Sequence, residues 1–402
     1  MIPYGKLKNA ISLVLIISLT MLTACSGQAA NRSAENDLDK YDLLKYVQPI
    51  WDHDVIYNES VMILKDQHGD MPPLSLLYPI EEVVSVRDFS LINKYVEGKD
   101  YALDQGKLVI MKDGDIYRDL AMNYDEYYFD QYDEGRHFKL ANGGGTIKTE
   151  AHHGLGGLTD YQIAVTYRHP INDSIVNKPE SKAQLLSNTL QKLQSKEKVN
   201  IVLLGDSISA GWSASGYQYS NIPPFAPTYY EMVTDYLEHY FDNQFINASN
   251  YSVGGMTSQW GAEEEQIRKI KNEDPDLVII AFGMNDGVSG MIDPLTYQSN
   301  IESIIQQVQS ENPRTEFIIV STMLPNAEVE GMLVNQFNYI SVLQELEQKY
   351  VQVALADVTT VSFEILRKKA FRDVAANNVN HPNDFMHRIY AQVILKTLLE
   401  EF

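Results

Sequence analysis

The sequence predicts an α/β protein in which a parallel sheet covered by helices occupies residues 198–402 and a β-rich module, read as a sandwich or jelly roll, occupies 41–185. Two observations carry this. KVNIVLLGDS (198–207), DLVIIAFG (276–283) and EFIIVSTM (316–323) are continuous runs rich in Val and Ile, as parallel strands covered on both faces should be, and helical patterns separate them. Upstream, SVMILKD (60–66), EVVSVRD (82–88), KLVIMKD (107–113) and YQIAVTYRH (161–169) are short alternating runs broken by turn-like HGDMPP, EGKD, KDGD and NGGG. Strands at that spacing suggest a sandwich or jelly-roll module.

The helices are read from their caps and periodicity. In DPLTYQSNIESIIQQVQ, Asp293 can cap and Pro294 suits the first helical position, while Tyr297, Ile301, Ile304, Ile305 and Val308 share a face. In TYYEMVTDYLEHYF the same spacing puts Tyr229, Met232, Val233, Tyr236, Leu237 and Tyr240 together.

A length of 402 residues favours two domains, and 44% hydrophobic residues suffice for packed cores. The formal net charge of −22 and the lack of any basic patch argue against a nucleic-acid partner, because phosphate binding needs clustered Lys and Arg.

Residues 1–24 read as a signal peptide. Lys6 and Lys8 precede ISLVLIISLTML (11–22), an apolar run shorter than the roughly 20 residues a membrane span requires. Leu22-Thr23-Ala24-Cys25 then resembles the lipobox of bacterial lipoproteins, which implies lipidation of Cys25 and anchoring to a membrane, facing outside the cytoplasm. Residues 25–40 are small and polar, as a tether should be. Cys25 is the only cysteine, so disulfides and cysteine metal sites are excluded.

Ligands of open parallel sheets sit outside the carboxyl ends of the strands, and the polar motifs fall there. GDSIS (205–209) follows IVLL; NYSVGGMTS (250–258) follows the strand candidate QFIN; GMND (283–286) closes DLVIIAFG; and NNVNHPND (377–384) precedes the last helix. In this order the four resemble blocks I, II, III and V of the SGNH (GDSL-type) hydrolases, over about residues 198–402. That resemblance implies a flavodoxin-like three-layer fold and a serine esterase that needs no metal or cofactor. It makes Ser207 the nucleophile and His381 the general base, with the Ser207 and Gly255 backbone N–H groups and the Asn285 amide forming an oxyanion hole. Gly255 suits a backbone that must approach substrate closely.

Other polar residues near these motifs have plainer readings. Asp206 and Asp286 are expected to support their loops by hydrogen bonding, and His387, on the predicted last helix, to be a surface or packing histidine. His152 and His153 have no cysteine near them and are read as loop residues that face the cleft at most.

The family commonly carries Asp-x-x-His, and here that aspartate position holds Asn378. An amide can hold the imidazole tautomer but cannot stabilise the imidazolium as a charge would. The open alternatives are a Ser-His dyad, with or without help from Asn378, then Asp373, then Asp384. Asp384 also suits the first turn of the last helix.

A β module ahead of such a domain is similar in layout to bacterial carbohydrate acetyl esterases, so the expected substrate is an O-acetylated glycan. The alternatives are a lipase or short-chain acyl esterase, and a glycan-binding surface lipoprotein that has lost catalysis.

Overall fold

The computed structural model describes residues 41–129, 137–143, 145–149, 157–171 and 175–402. The signal peptide, Cys25, the tether and the His152–His153 pair lie outside the described residues.

The N-terminal part contains strands β1 (Val55–Met62), β2 (Glu82–Asp88), β3 (Lys94–Tyr95), β4 (Tyr101–Asp104), β5 (Lys107–Ile110), β6 (Tyr128–Phe129), β7 (His137–Lys139), β8 (Thr146–Lys148) and β9 (Gln162–Arg168). They form antiparallel sheets in the orders β1-β9-β2-β3, β4-β5 and β6-β8-β7. The β-rich reading of this part is met. The 161–169 run differs from its expected alternation: Gln162 to Tyr167 are all buried, because β9 is the central strand between β1 and β2 and is covered on both faces.

The C-terminal part contains β10 (Val199–Gly205), β11 (Ile246–Asn250), β12 (Leu277–Ala281), β13 (Glu316–Val320) and β14 (Val353–Ala356), all parallel, in the order β11-β10-β12-β13-β14. Counted along the chain this is 2-1-3-4-5, the flavodoxin-like order, whose switch point lies beside the first strand. Alternate residues feed two cores. Ile201, Leu203, Ile279, Ile318 and Ala354 enter one apolar cluster; Val202, Leu204, Val278, Ile280 and Phe317 enter the other. That division explains why the strands read as continuous apolar runs.

Helices Glu264–Asn272, Pro294–Gln309 and Tyr339–Lys349 cover one face. Asp293 caps the second of these by accepting from the Leu295 and Thr296 amides, with Pro294 at its first position. Helices Tyr229–Phe241 and Asp384–Leu398 cover the other face. In the former, Tyr229, Met232, Val233 and Leu237 are buried, whereas Tyr236 is half-buried and Tyr240 exposed and Tyr230 and Thr234 are buried instead, so the buried stripe is rotated from the one its periodicity suggests.

Every residue of helix Asp384–Leu398 is buried, Arg388 and Lys396 included. The N-terminal part supplies its outer cover: Arg388 donates to the Tyr57 carbonyl, and the Gln392 amide donates to the carbonyls of Tyr46 (3.2 Å) and Gln48 (2.6 Å). Asp39–Phe402 accordingly forms one compact unit whose largest apolar cluster draws on both parts. No helix among the described residues is long and apolar enough to cross a membrane.

Candidate active site

Ser207 lies two residues beyond β10, Gly255 beyond β11 and Asn285 beyond β12, so three loops converge at the carboxyl edge around the switch point. His381 reaches them from the segment before the last helix. Ser207 Oγ is 2.9 Å from His381 Nε2, with both residues buried. A serine hydroxyl this close to a neutral imidazole can pass its proton as it attacks.

The serine loop is tied to its own sheet. Asp206 accepts from the Ile208 amide (2.9 Å), and burial pushes its carboxyl up to about 7. Ser209 Oγ accepts from the Tyr229 hydroxyl, and the Ser209 carbonyl accepts from the Asn250 amide, both at 2.8 Å. A Cβ on Gly205 would stand 2.5 Å from the Ala281 carbonyl oxygen, so only glycine fits the strand end under the nucleophile.

The loops expected to form the oxyanion hole are joined by Asp286. Its carboxylate accepts from the Gly283 amide (3.2 Å) and from both the amide (2.9 Å) and hydroxyl of Ser258, joining the second and third loops; burial raises its pKa. Asp206 and Asp286 thus occupy supporting positions. The Asn285 amide donates one N–H to the Met256 carbonyl (2.9 Å), which orients the group and leaves its second N–H for another acceptor. Gly255 has φ of +80°, and an added Cβ meets nothing within 4 Å. Within the protein, therefore, backbone conformation and not crowding is what favours glycine there.

The His381 loop is held differently. The Asn377 side-chain oxygen accepts from the amides of Val379, Asn380 and His381 at 2.9–3.0 Å, and the His381 carbonyl accepts from Ala376. The N-terminal sheet then grips this turn. Gln162 of β9 donates to the carbonyls of Arg372 (2.7 Å) and Ala375 (2.9 Å) and accepts from the Asn383 amide, which also donates to Ser60 of β1. The Asp373 carboxylate accepts from the Met62 amide (2.9 Å) and the Ala370 amide (3.1 Å).

The three residues considered for orienting His381 are engaged elsewhere. Asn378 is fully buried with φ of +59°, a conformation asparagine tolerates better than most residues. Its amide donates to the Tyr127 hydroxyl (2.8 Å) and the Lys148 carbonyl (2.9 Å), and its oxygen accepts from Asn326. Asp373 bonds to backbone as described above. Asp384 accepts from the Ser215 amide (2.8 Å), and burial pushes its carboxyl up to about 7. None of the three bonds to the His381 ring among the described hydrogen bonds. His387 is a packing histidine: it is fully buried, donates to the Trp212 carbonyl, and is pushed down to about 4 by burial.

Sequence reasoning did not single out Gln162, Asn377 and Asn383. The available signal was the asparagine-rich run at 377, 378, 380 and 383, since buried amides that close together need partners. Nor did it single out Trp212, whose ring meets that of His381 edge-on with centroids 5.5 Å apart. Among the described residues no group of three or more His, Cys, Asp or Glu could hold a metal ion.

A serine paired with a histidine at the carboxyl edge of a 2-1-3-4-5 sheet, beside two loops that present N–H donors, has the architecture of an ester hydrolase. Residues 203–389 match the model of the GDSL-like Lipase/Acylhydrolase family. Similar solved structures include a two-domain esterase (CEX) active on acetylated mannans, at 19% identity over 55% of this chain and 53% of that one, with a TM-score of 0.42. A variant of the acetyl xylan esterase Axe2 from Geobacillus stearothermophilus is 18% identical over 52% of this chain and 98% of that one, with a TM-score of 0.41. The lipase/acylhydrolase from Enterococcus faecalis is 19% identical over 49% and 93%, with a TM-score of 0.38. This chain therefore spans about half the length of the two-domain esterase. No curated protein matches the sequence.

Proposed function

We propose that this protein is a serine esterase that removes O-acetyl groups from carbohydrate at the cell surface. The pairing of Ser207 Oγ with His381 Nε2 at 2.9 Å is the observation that carries the catalytic part. As Ser207 attacks the acyl carbon, its proton passes to His381, and the carbonyl oxygen becomes an oxyanion. The Ser207 and Gly255 backbone N–H groups and the free Asn285 N–H bind that charge, each such donor contributing about 3–4 kcal/mol in the transition state. His381 then protonates the departing sugar oxygen, leaving an acyl-serine. Water attacks this ester as His381 takes its proton, and return of that proton to Ser207 releases acetate and restores the enzyme.

The glycan part is supported by the layout, a β-rich part ahead of the hydrolase domain, and by the aromatic ring beside His381. The reading requires neither metal nor cofactor. Its partners are the acylated substrate and, through a lipid on Cys25, the membrane.

Hydrolysis of p-nitrophenyl acetate is expected from the wild type and not from Ser207→Ala; no activity above background would sink the esterase reading and favour a glycan binder. Octanoate esters turned over faster than acetate would make the protein a lipase. Acetate release from acetylated xylan, mannan and peptidoglycan tests the polymer. Cys25→Ala is expected to move the protein from the membrane to the soluble fraction, and a wild type that is already soluble would end the anchor proposal.

A further inference from the structure

We infer that the loop after the nucleophile, residues 211–226, is a glycan-binding ridge on which the sugar carrying the ester and its neighbours in the chain lie. This rests on the esterase reading above in one respect: His381 hands its proton to the leaving sugar oxygen, so the leaving sugar must lie against whatever flanks that imidazole.

The flank is Trp212. Its indole meets the His381 ring edge-on (73°, centroids 5.5 Å apart) and lies against Gly254, where a Cβ would come within 2.8 Å of the indole Cζ2. Trp212 therefore fills the space between the base and the loop bearing the Gly255 oxyanion donor. Its backbone is fixed at both ends: the amide donates to the Ser207 carbonyl (3.0 Å), and the carbonyl accepts from His387 (3.1 Å).

The aromatic surface continues outward. The Tyr217 ring lies over Gly211, the residue before Trp212, where a Cβ would come within 3.1 Å of its Cδ2, and it meets Tyr219 edge-on with centroids 5.4 Å apart. Tyr219 is 71% exposed. Three aromatic rings thus run from the base to the surface, Trp212 and Tyr217 partly buried and Tyr219 open to solvent.

The loop is also ordered. Ser215 donates its amide to Asp384 at the start of the last helix, accepts from the Ala226 amide on its hydroxyl (2.8 Å), and accepts from Ile222 on its carbonyl (2.9 Å). One end of the ridge is thereby fastened to the nucleophile loop and its middle to the helix that follows His381. Rigid tyrosine and tryptophan rings present large apolar faces at little entropic cost, and the C–H face of a pyranose stacks on such faces while its hydroxyls stay in water. A row of rings fits an oligosaccharide better than a single acetylated sugar.

Two measurements test this. In the first, Ser207→Ala protein, which cannot turn over, is titrated with xylohexaose and with mannohexaose while tryptophan fluorescence is followed. Saturable quenching by at least one hexaose is expected, with Kd raised about fivefold by adding Tyr219→Ala and restored by Tyr219→Phe. No binding of either hexaose, or binding indifferent to Tyr219→Ala, overturns the proposal. In the second, the ratio of kcat/KM on an acetylated hexaose to kcat/KM on p-nitrophenyl acetate is expected to fall about fivefold in Tyr219→Ala through KM. The exposed Tyr240→Ala on helix Tyr229–Phe241 serves as the control that leaves the ratio unchanged. An unchanged ratio in Tyr219→Ala also overturns the ridge. Failure of the esterase reading is distinguishable: p-nitrophenyl acetate would not be hydrolysed although the hexaose titration still showed the Tyr219 dependence.

Discussion

Ser207 and His381 meet at 2.9 Å, but they are delivered to that point by different parts of the chain. The serine loop is a local product of the parallel sheet: strand end, tight glycine, and bonds to neighbouring loops of the same sheet. The histidine loop meets that sheet through the segment beyond β13, where the Asn326 amide donates to the Val379 carbonyl (2.9 Å) and its side chain to the Asn378 carbonyl (2.8 Å). It is a turn of asparagines pinned to β1 and β9 of the antiparallel sheet through Ser60, Met62 and Gln162. The N-terminal β part thus shares with the hydrolase part the task of holding the His381 loop, whereas the Ser207 loop is held within the hydrolase part alone.

Predictions follow from breaking one side or the other. Replacing the reacting groups removes both sides equally: Ser207→Ala and His381→Ala are each expected to lower kcat by roughly 10⁴-fold or more with thermal stability retained, as measured by ester turnover and melting.

The buried pair of Lys369 and Glu59 (2.5 Å, both fully buried) joins β1 to the segment just before the histidine loop. Glu59 also accepts from the Tyr167 hydroxyl (2.7 Å) and the Leu77 amide (2.8 Å). Lys369→Met leaves that carboxylate buried without its counter-charge, and denaturant unfolding should show a loss of about 3–5 kcal/mol.

Asn383→Ala removes one part of the tether, leaving the Gln162 side-chain oxygen without its donor and removing the cap on Met386. A loss of about 2–3 kcal/mol is expected, accompanied by a drop in kcat larger than that from Asn250→Ala, the corresponding tie on the serine side. Equal drops in kcat would remove the asymmetry between the two loops.

The smallest effect concerns pH at a residue that links the sides, since Asp384 opens the last helix and holds Ser215 of the ridge loop. Its carboxyl is pushed up to about 7, above its unfolded value of 3.8, so the folded chain holds the proton more tightly. Its stabilising contribution is full below 3.8 and is lost as pH rises through about 7. Asp206 acts in the same direction. His387, pushed from 6.5 down to about 4, acts oppositely: stability is lost as pH falls from 6.5 toward 4. Asp384→Asn should therefore remove one contribution to the decline in Tm between about pH 4 and pH 7, the range in which His387 acts oppositely, so that Tm in the variant rises more steeply, or falls less, across that range.

Most of the parallel sheet was legible because burial on both faces writes itself into sequence as unbroken Val and Ile runs. β14 was not identified: VALA at 353–356 is four residues with two alanines, too short and too small to stand out from helical sequence on either side. The position of β9 at the centre of its sheet was also hidden, since pairing order is not a local property. For the site, the residues beyond β10, β11 and β12 were readable from their places at strand ends. The groups that hold His381 were not, because Gln162 and Ser60 lie more than 200 residues from Asn383 and nothing local marks the bond.

The sequence by itself determined the alternation of strand and helix and the polar loops at the carboxyl edge, because periodicity and strand-end motifs are short-range patterns. The tertiary structure alone decided what Asn378, Asp373 and Asp384 do. Each carries a group capable of orienting a histidine, and each is turned toward Tyr127, Met62 or Ser215 because a buried polar atom bonds whichever partner the fold brings within 3 Å.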